Sequence, residues 1–433
     1  MLRLSALFTL SFSASPHHAA GEQYQSSGKD LRKSSNGSIG SGDGGGPSGV
    51  AAESLPAPRN THAAASVVPE RHLPSSASVA QLDSILRIKQ QIDNSEWDAD
   101  LLTLCDLLHN PMAFIVHLVL QQWDALEALS TEEATLTRLL EHIEGGYKPT
   151  NPYHNATHAA DVAYTTHCML HHGVRAALDL SDLQCAVCIL AAAAHDFRHP
   201  GIGANYLIAM GDDLALTYND RSPLESMHTS QFFKLLKAKP DANVFSALPT
   251  KEMADVRKCI VGMILATDMS VHFDYLDRFQ KKFHTESALD EMRLEKSWAD
   301  DQSFAMAMLL HCADISNPAK PRDTYLNWTD RVLGEFYHQG DLEAKASLAI
   351  STFYDRSKPS VGKMQAGFIQ FIVRPIFTAW CEFVPELKGQ CMHHIEANAA
   401  IWKATTPFIP PEQIYVHGDK VDWDWERGRW ITQ

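Results

Sequence analysis

Ser181-Asp-Leu-Gln-Cys-Ala-Val-Cys-Ile-Leu-Ala-Ala-Ala-Ala194-His195-Asp196-Phe-Arg-His199-Pro200-Gly201 is the stretch from which the fold reads. Ser181 is a helix N-cap residue ahead of the apolar run Leu183–Ala194. Pro200-Gly201 then ends the segment. Between them the spacing predicts a strongly apolar helix, with Cys185 and Cys188 as ordinary buried thiols. That helix delivers His195, Asp196 and His199 at its polar end. A carboxylate beside four alanines is costly to bury unless it is paired or metal-bound. Adjacent side chains on a regular helix diverge by about 100°, so His195 and Asp196 act together only at a helix end, where the backbone is freer.

Helical spacing recurs on both sides of this stretch. Leu82, Ile85 and Leu86 show it, as do Leu101, Leu102, Cys105 and Leu108. Thr131 with Glu132 and Glu133 opens a further helix. Met364, Phe368 and Ile372 form a stripe that Pro375 kinks. No alternation is long enough for a sheet, and there is no internal repeat. The expected fold is all-α: a single compact multi-helix domain over residues 79–433. Residues 1–78 are instead rich in Ser, Gly, Ala and Pro, and all nine tryptophans lie beyond them. Such a composition buries too little apolar surface to offset chain entropy, so a disordered N-terminal arm is expected. The opening Met1–Phe12 resembles a short signal peptide, with Arg3 before an apolar stretch. Serines interrupt it, and the reading adopted is a disordered terminus.

With 433 residues the chain can bury a sizeable core, and 45% hydrophobic against 21% charged residues excludes wholesale disorder. The longest apolar runs, Ala113–Leu120 and Cys185–Ala194, fall short of the roughly 18 residues a membrane span needs. A net charge of −15 argues against a nucleic-acid or anionic-membrane partner. Eight cysteines scattered through hydrophobic segments read as free thiols of a reducing compartment, hence cytoplasmic.

The chain holds 22 histidines, and their spacing is the main clue. In Asn151-Pro-Tyr153-His154-Asn-Ala-Thr-His158-Ala-Ala-Asp161, a turn signal leads into helix. His154 and His158 stand four apart and are expected to share a face, one turn from each other. In Phe304-Ala-Met-Ala-Met-Leu-Leu-His311-Cys-Ala-Asp314-Ile-Ser-Asn317-Pro318, Asp314 closes another hydrophobic helix before a turn. His158, His195, Asp196 and Asp314 together offer a mixed nitrogen and oxygen donor set. It suits zinc or another divalent ion, with room for solvent ligands.

His…His-Asp…Asp is the signature of HD-type metal phosphohydrolases. The residues around it resemble the catalytic domain of class I 3′,5′-cyclic-nucleotide phosphodiesterases, nearest the cyclic-AMP-specific branch. The resemblance runs through Tyr153–Val162, His195–Gly201, Tyr218–Glu225 with His228, Thr267–Ser270 and His311–Pro318. It continues through Trp328–Val332, Glu335–Asp341 and Gln365–Phe368. These collinear blocks cover about residues 85 to 410. Two departures stand out: Ala204 where the family usually has Asn, and Met227-His228 where it often has paired histidines.

The resemblance implies hydrolysis of a cyclic nucleotide, cyclic AMP preferred, to the 5′-monophosphate. It implies two divalent ions: a zinc-like one on His158, His195, Asp196 and Asp314, and magnesium or manganese bridged by Asp196. His199, Glu225 and Thr267 would position the waters of the second ion. His154 would be the general acid, its ring held by Glu335. Gln365 corresponds to the purine-binding glutamine, and Phe368 and Val332 to the jaws that sandwich the base. Tyr153, Asn317, Tyr325, Thr329 and Phe336 complete the implied substrate pocket, with Tyr325 orienting the amide. The alternatives are a dual cyclic AMP/cyclic GMP enzyme, another nucleotide phosphohydrolase, and a nucleotide-binding pseudoenzyme. Regulators and oligomeric partners stay open.

Overall fold

The computed structural model describes residues 68–74, 76–283 and 300–404, together with two strand segments, Val421–Asp424 and Arg429–Thr432. The signal-like opening and residues 1–67 of the expected arm lie outside the described residues. Packed chain begins ahead of the expected boundary at 79. Val68 and His72 are buried, and the His109 amide donates to the His72 carbonyl.

The architecture is all-α. Helix Ala156–Met169 packs against Pro111–Gln121, Asp182–Ala194 and Asp300–Asp314, and Thr250–Leu265 packs against the last two. Asp182–Ala194 starts as the sequence predicts. The Gln184 amide donates to Ser181 Oγ at 3.2 Å, and the Ser181 amide donates to Gln184 Oε1 at 3.0 Å, a reciprocal capping box. The helix then buries everything from Leu183 to Ala194, Cys185 and Cys188 included. Ala159, Ala160 and Ala163 on the neighbouring helix and Ala191–Ala194 on this one are fully buried. Their small side chains let two backbones approach closely, which brings the ends of both helices to one place.

The second half of the chain wraps around this core through Arg322–Lys345, Val361–Phe368, Arg374–Phe383 and Lys388–Ala404. The kink expected at Pro375 appears as a widened π turn, Ile369–Val373, just before it. Proline cannot donate to the carbonyl four residues back, so the turn opens there. Not every expected stripe is buried: Leu86 is about half exposed while Ile85, Ile88 and Ile92 face the core. The two strands pair antiparallel with Trp423 opposite Trp430. At four residues each they are too short for alternation to register in the sequence. No single helix among the described residues is long and apolar enough to cross a membrane. The one pair that passes by composition, Thr250–Leu265 with Met269–Phe283, is bent by 82°. It buries Ile260, Met263, Ile264 and Phe279 inside the protein.

Candidate active site

Three helix ends converge on one point. Asn155 caps the Ala156–Met169 helix, its Oδ1 accepting from the Thr157 and His158 amides at 2.9 and 3.2 Å. His158 therefore sits in the first turn, and His154 lies ahead of the cap. The expectation that the two histidines share a helix face is corrected: Asn155 starts the helix between them. Their rings meet edge to face, 5.9 Å apart. His195 follows Ala194 at the end of the second helix, and Asp314 is the last residue of Asp300–Asp314. Asn151 ties two of the loops together, its Nδ2 donating to the His154 and His199 carbonyls at 2.9 and 3.0 Å. Gly201 passes it at φ +83°, where a Cβ would stand 2.4 Å from Asn151 Oδ1.

The four residues expected to bind metal come together. Asp314 Oδ1 lies 3.0 Å from His158 Nε2 and 3.2 Å from His195 Nε2. Asp196 Oδ2 is 3.2 Å from His195 Nε2 and 3.6 Å from His158 Nε2. On its other side Asp196 Oδ1 is 3.5 Å from His228 Nε2. Nδ1 of His195 bonds the Ala192 carbonyl and Nδ1 of His228 bonds that of Phe197, at 2.7 and 2.8 Å. A carbonyl only accepts, so Nδ1 carries the proton and Nε2 is left as a lone-pair donor. Both Nε2 atoms are buried without a hydrogen-bond partner. Burial raises the two aspartates, but when the imidazoles they face, His195 foremost, carry both protons, the ion pairs outweigh burial and keep both aspartates well below the usual carboxylate range. Two carboxylates and unsatisfied imidazole nitrogens in one buried cluster fit a divalent cation.

Beside this cluster stands His154. Its Nδ1 is 2.5 Å from Glu335 Oε2, and Glu335 Oε1 accepts from the Tyr153 and His154 amides at 2.9 and 2.7 Å. Burial lowers His154, but Glu335, then Asp196, outweigh it and raise it to about 9. His199 stacks on His154 with centroids 4.0 Å apart, and the Gly201 amide donates to His199 Nδ1. His199 therefore keeps its proton on Nε2 and is a donor there. Burial first, and the neighbouring His154 next, hold it well below the usual histidine range. Glu225 is pushed up to about 8 by burial and by Asp268. Thr267 Oγ1 donates to the Ile264 carbonyl at the end of its helix and lines the same cavity. Sequence reasoning gave no role to His228 or Asp268. The three-residue step from Glu225 to His228, one face of a helix, was the available signal for the former.

The cavity, about 270 Å³, continues away from the clustered imidazoles to Gln365 and Phe368. Val332, Thr329, Phe336 and Asn317 line it, and the Phe336 ring stacks on Tyr354 at 4.3 Å. Asn317 Nδ2 donates to the Tyr153 hydroxyl at 2.7 Å, which leaves Asn317 Oδ1 as the acceptor. Tyr325 OH donates to Gln365 Oε1 at 2.8 Å, and Trp402 Nε1 donates to Tyr325 OH at 2.7 Å. An indole N–H only donates, so the Tyr325 oxygen accepts from Trp402 and keeps its proton for Gln365 Oε1. Trp402 was not expected here.

Residues 153–395 match the family model of the 3′5′-cyclic nucleotide phosphodiesterases. The chain is 35% identical to the 3′,5′-cyclic-AMP phosphodiesterase 4C of Rattus norvegicus over 327 residues, 75% of this chain and 61% of that one. It is 34% identical to the Mus musculus protein of the same name, over 75% and 47%. The chain thus spans less than two thirds of these relatives' length. The phosphodiesterase domain of the Salpingoeca rosetta rhodopsin phosphodiesterase superposes with a TM-score of 0.64 at 30% identity. The match covers 71% of this chain and 90% of that one.

Proposed function

This chain belongs to the 3′5′-cyclic nucleotide phosphodiesterase family, and from that premise we propose that it hydrolyses cyclic AMP to 5′-AMP. The observation that carries the reading is the convergence of His158, His195, Asp196 and Asp314 from distant segments, with His154 beside them. These four residues would hold a tight divalent ion, zinc by its donor set. Asp196, facing His228 with its other oxygen, would reach a second, magnesium or manganese. Such a pair supplies charge neutralisation on the phosphate and water of lowered pKa.

The chain's own residues do the rest. His154, charged because Glu335 faces it, donates its proton to the 3′ oxygen as that oxygen leaves phosphorus. Glu335 fixes the ring and the backbone that carries it. His199 donates from Nε2, and Glu225 and Thr267 line the space where water must be oriented. Phe368 and Val332 clamp the base. With its oxygen anchored by Tyr325, Gln365 presents a fixed donor and acceptor edge, and Asn317 Oδ1 adds an acceptor. Adenine, with an exocyclic amine beside an acceptor nitrogen, matches that polarity. Guanine puts a carbonyl where the amine would be, leaving a buried group unpaired at about 1–3 kcal/mol.

The test is hydrolysis of cyclic AMP and cyclic GMP with and without a chelator. Chelator-sensitive turnover at least about tenfold more efficient on cyclic AMP is expected. No chelator-sensitive hydrolysis of either nucleotide would overturn the reading, and equal efficiency would replace it with a dual-specificity enzyme.

A further inference from the structure

We propose that Asp98, His393 and His394 form a separate zinc site that staples the Lys388–Ala404 helix to the loop after Val79–Asp93. None of the three lines the cavity. One ligating atom from each lies within 4.8 Å of the other two. His394 Nε2 is 2.7 Å from Asp98 Oδ1, across a gap of 296 residues in sequence. Consecutive side chains on a regular helix leave it about 100° apart. Here the His393 and His394 rings nevertheless lie with centroids 3.8 Å apart, both turned toward the one carboxylate. Two imidazoles and a carboxylate form an open tripod that suits zinc, with solvent completing the tetrahedron. Asp98 meets the requirement for a charged ligand. Burial raises it, but the His394 hydrogen bond and both imidazoles more than compensate. The cation that also acts on Asp98, Lys320, is paired with Asp161 at 3.4 Å.

The position gives the site a consequence. Next to Asp98, Trp97 Nε1 donates to the Ala319 carbonyl at 2.7 Å. One turn beyond His394, Asn398 Nδ2 donates to the Pro318 and Lys320 carbonyls, each at 2.9 Å. Loop and helix thus grip the same 317–320 turn, which begins with pocket residue Asn317. The helix also carries Trp402, the donor to Tyr325. A zinc ion here would hold both grips closed.

Equilibrium dialysis of the metal-loaded protein against excess zinc, followed by elemental analysis, tests this directly. One zinc equivalent more is expected in the unmodified protein than in His394→Ala. Asp98→Asn, on the surface, should weaken that equivalent by at least the roughly tenfold that even an outer-shell metal partner is worth. Added zinc should raise the thermal midpoint of the unmodified protein more than that of either variant. Both variants should keep their basal cyclic AMP hydrolysis. Equal stoichiometry and equal zinc-dependent midpoints in all three proteins would overturn the proposal. Because those readouts need no turnover, they stand apart from the proposed reaction.

Discussion

Replacing Glu335 with Gln removes one charge from beneath His154 and leaves the side chain's shape. In the native protein Glu335 Oε1 takes two backbone N–H groups while Oε2 faces His154 Nδ1. An amide has one oxygen and cannot serve both sets, so Gln keeps one and confronts the other with its own donors. Glu335 is the largest influence raising His154 to about 9, and burial pulls the other way. Without that charge the imidazole should fall by roughly two units, about 3 kcal/mol of lost imidazolium stabilisation. At pH 8 the protonated fraction then drops from about nine-tenths to about one-tenth. A general acid works only while protonated, so the native rate should be lost as pH rises through about 9. In Glu335→Gln the loss should come near neutrality. A profile of kcat on cyclic AMP from pH 5.5 to 9.5 measures this. The variant should be slower than native at every pH, and about tenfold further behind at pH 8 than at pH 6. An alkaline limb at the same pH in both proteins would refute the assignment of His154 as the acid.

Asp196→Ala should lose bound metal and nearly all turnover; a folded variant that keeps both would remove Asp196 from the metal set. His154→Ala should instead keep the tighter ion while turnover falls by about two or more powers of ten, so elemental analysis alongside kinetics separates acid from ligand. Trp402→Phe should free the Tyr325 hydroxyl and narrow the cyclic AMP preference, as Tyr325→Phe should; an unchanged ratio of kcat/KM values in both would show that Gln365 is not anchored through them. Gly201→Ala, at φ +83° and against Asn151, should cost about 1–3 kcal/mol. A thermal midpoint equal to that of the native protein would count against that strain.

Much of the site was legible because its residues stand at the ends of strongly patterned helices. Ser181, the apolar run after it and Pro200-Gly201 mark a helix and its end, so the sequence alone places His195 and Asp196 there. Asp314 was legible for the same reason. The relation of His154 to His158 was not. A four-residue step reads as one helix face, and only the Asn155 side chain, bonded to the Thr157 and His158 amides, shows that the helix begins between them. The place of His228 was not legible either, since nothing near it in sequence marks Asp196 as its neighbour.

Local patterning, in short-range periods and caps, sufficed to predict an all-α chain and a mixed nitrogen and oxygen donor set suited to a divalent ion. The packed protein alone settled direction. Gln365 can turn either edge of its amide to a base, and its own segment prefers neither. Its polarity follows from Tyr325, 40 residues earlier, which donates to the Gln365 oxygen while accepting from Trp402, 37 residues after Gln365. Hydrogen-bond direction depends on which donor lies within 3 Å, and folding brings such partners together across separations that no local periodicity encodes.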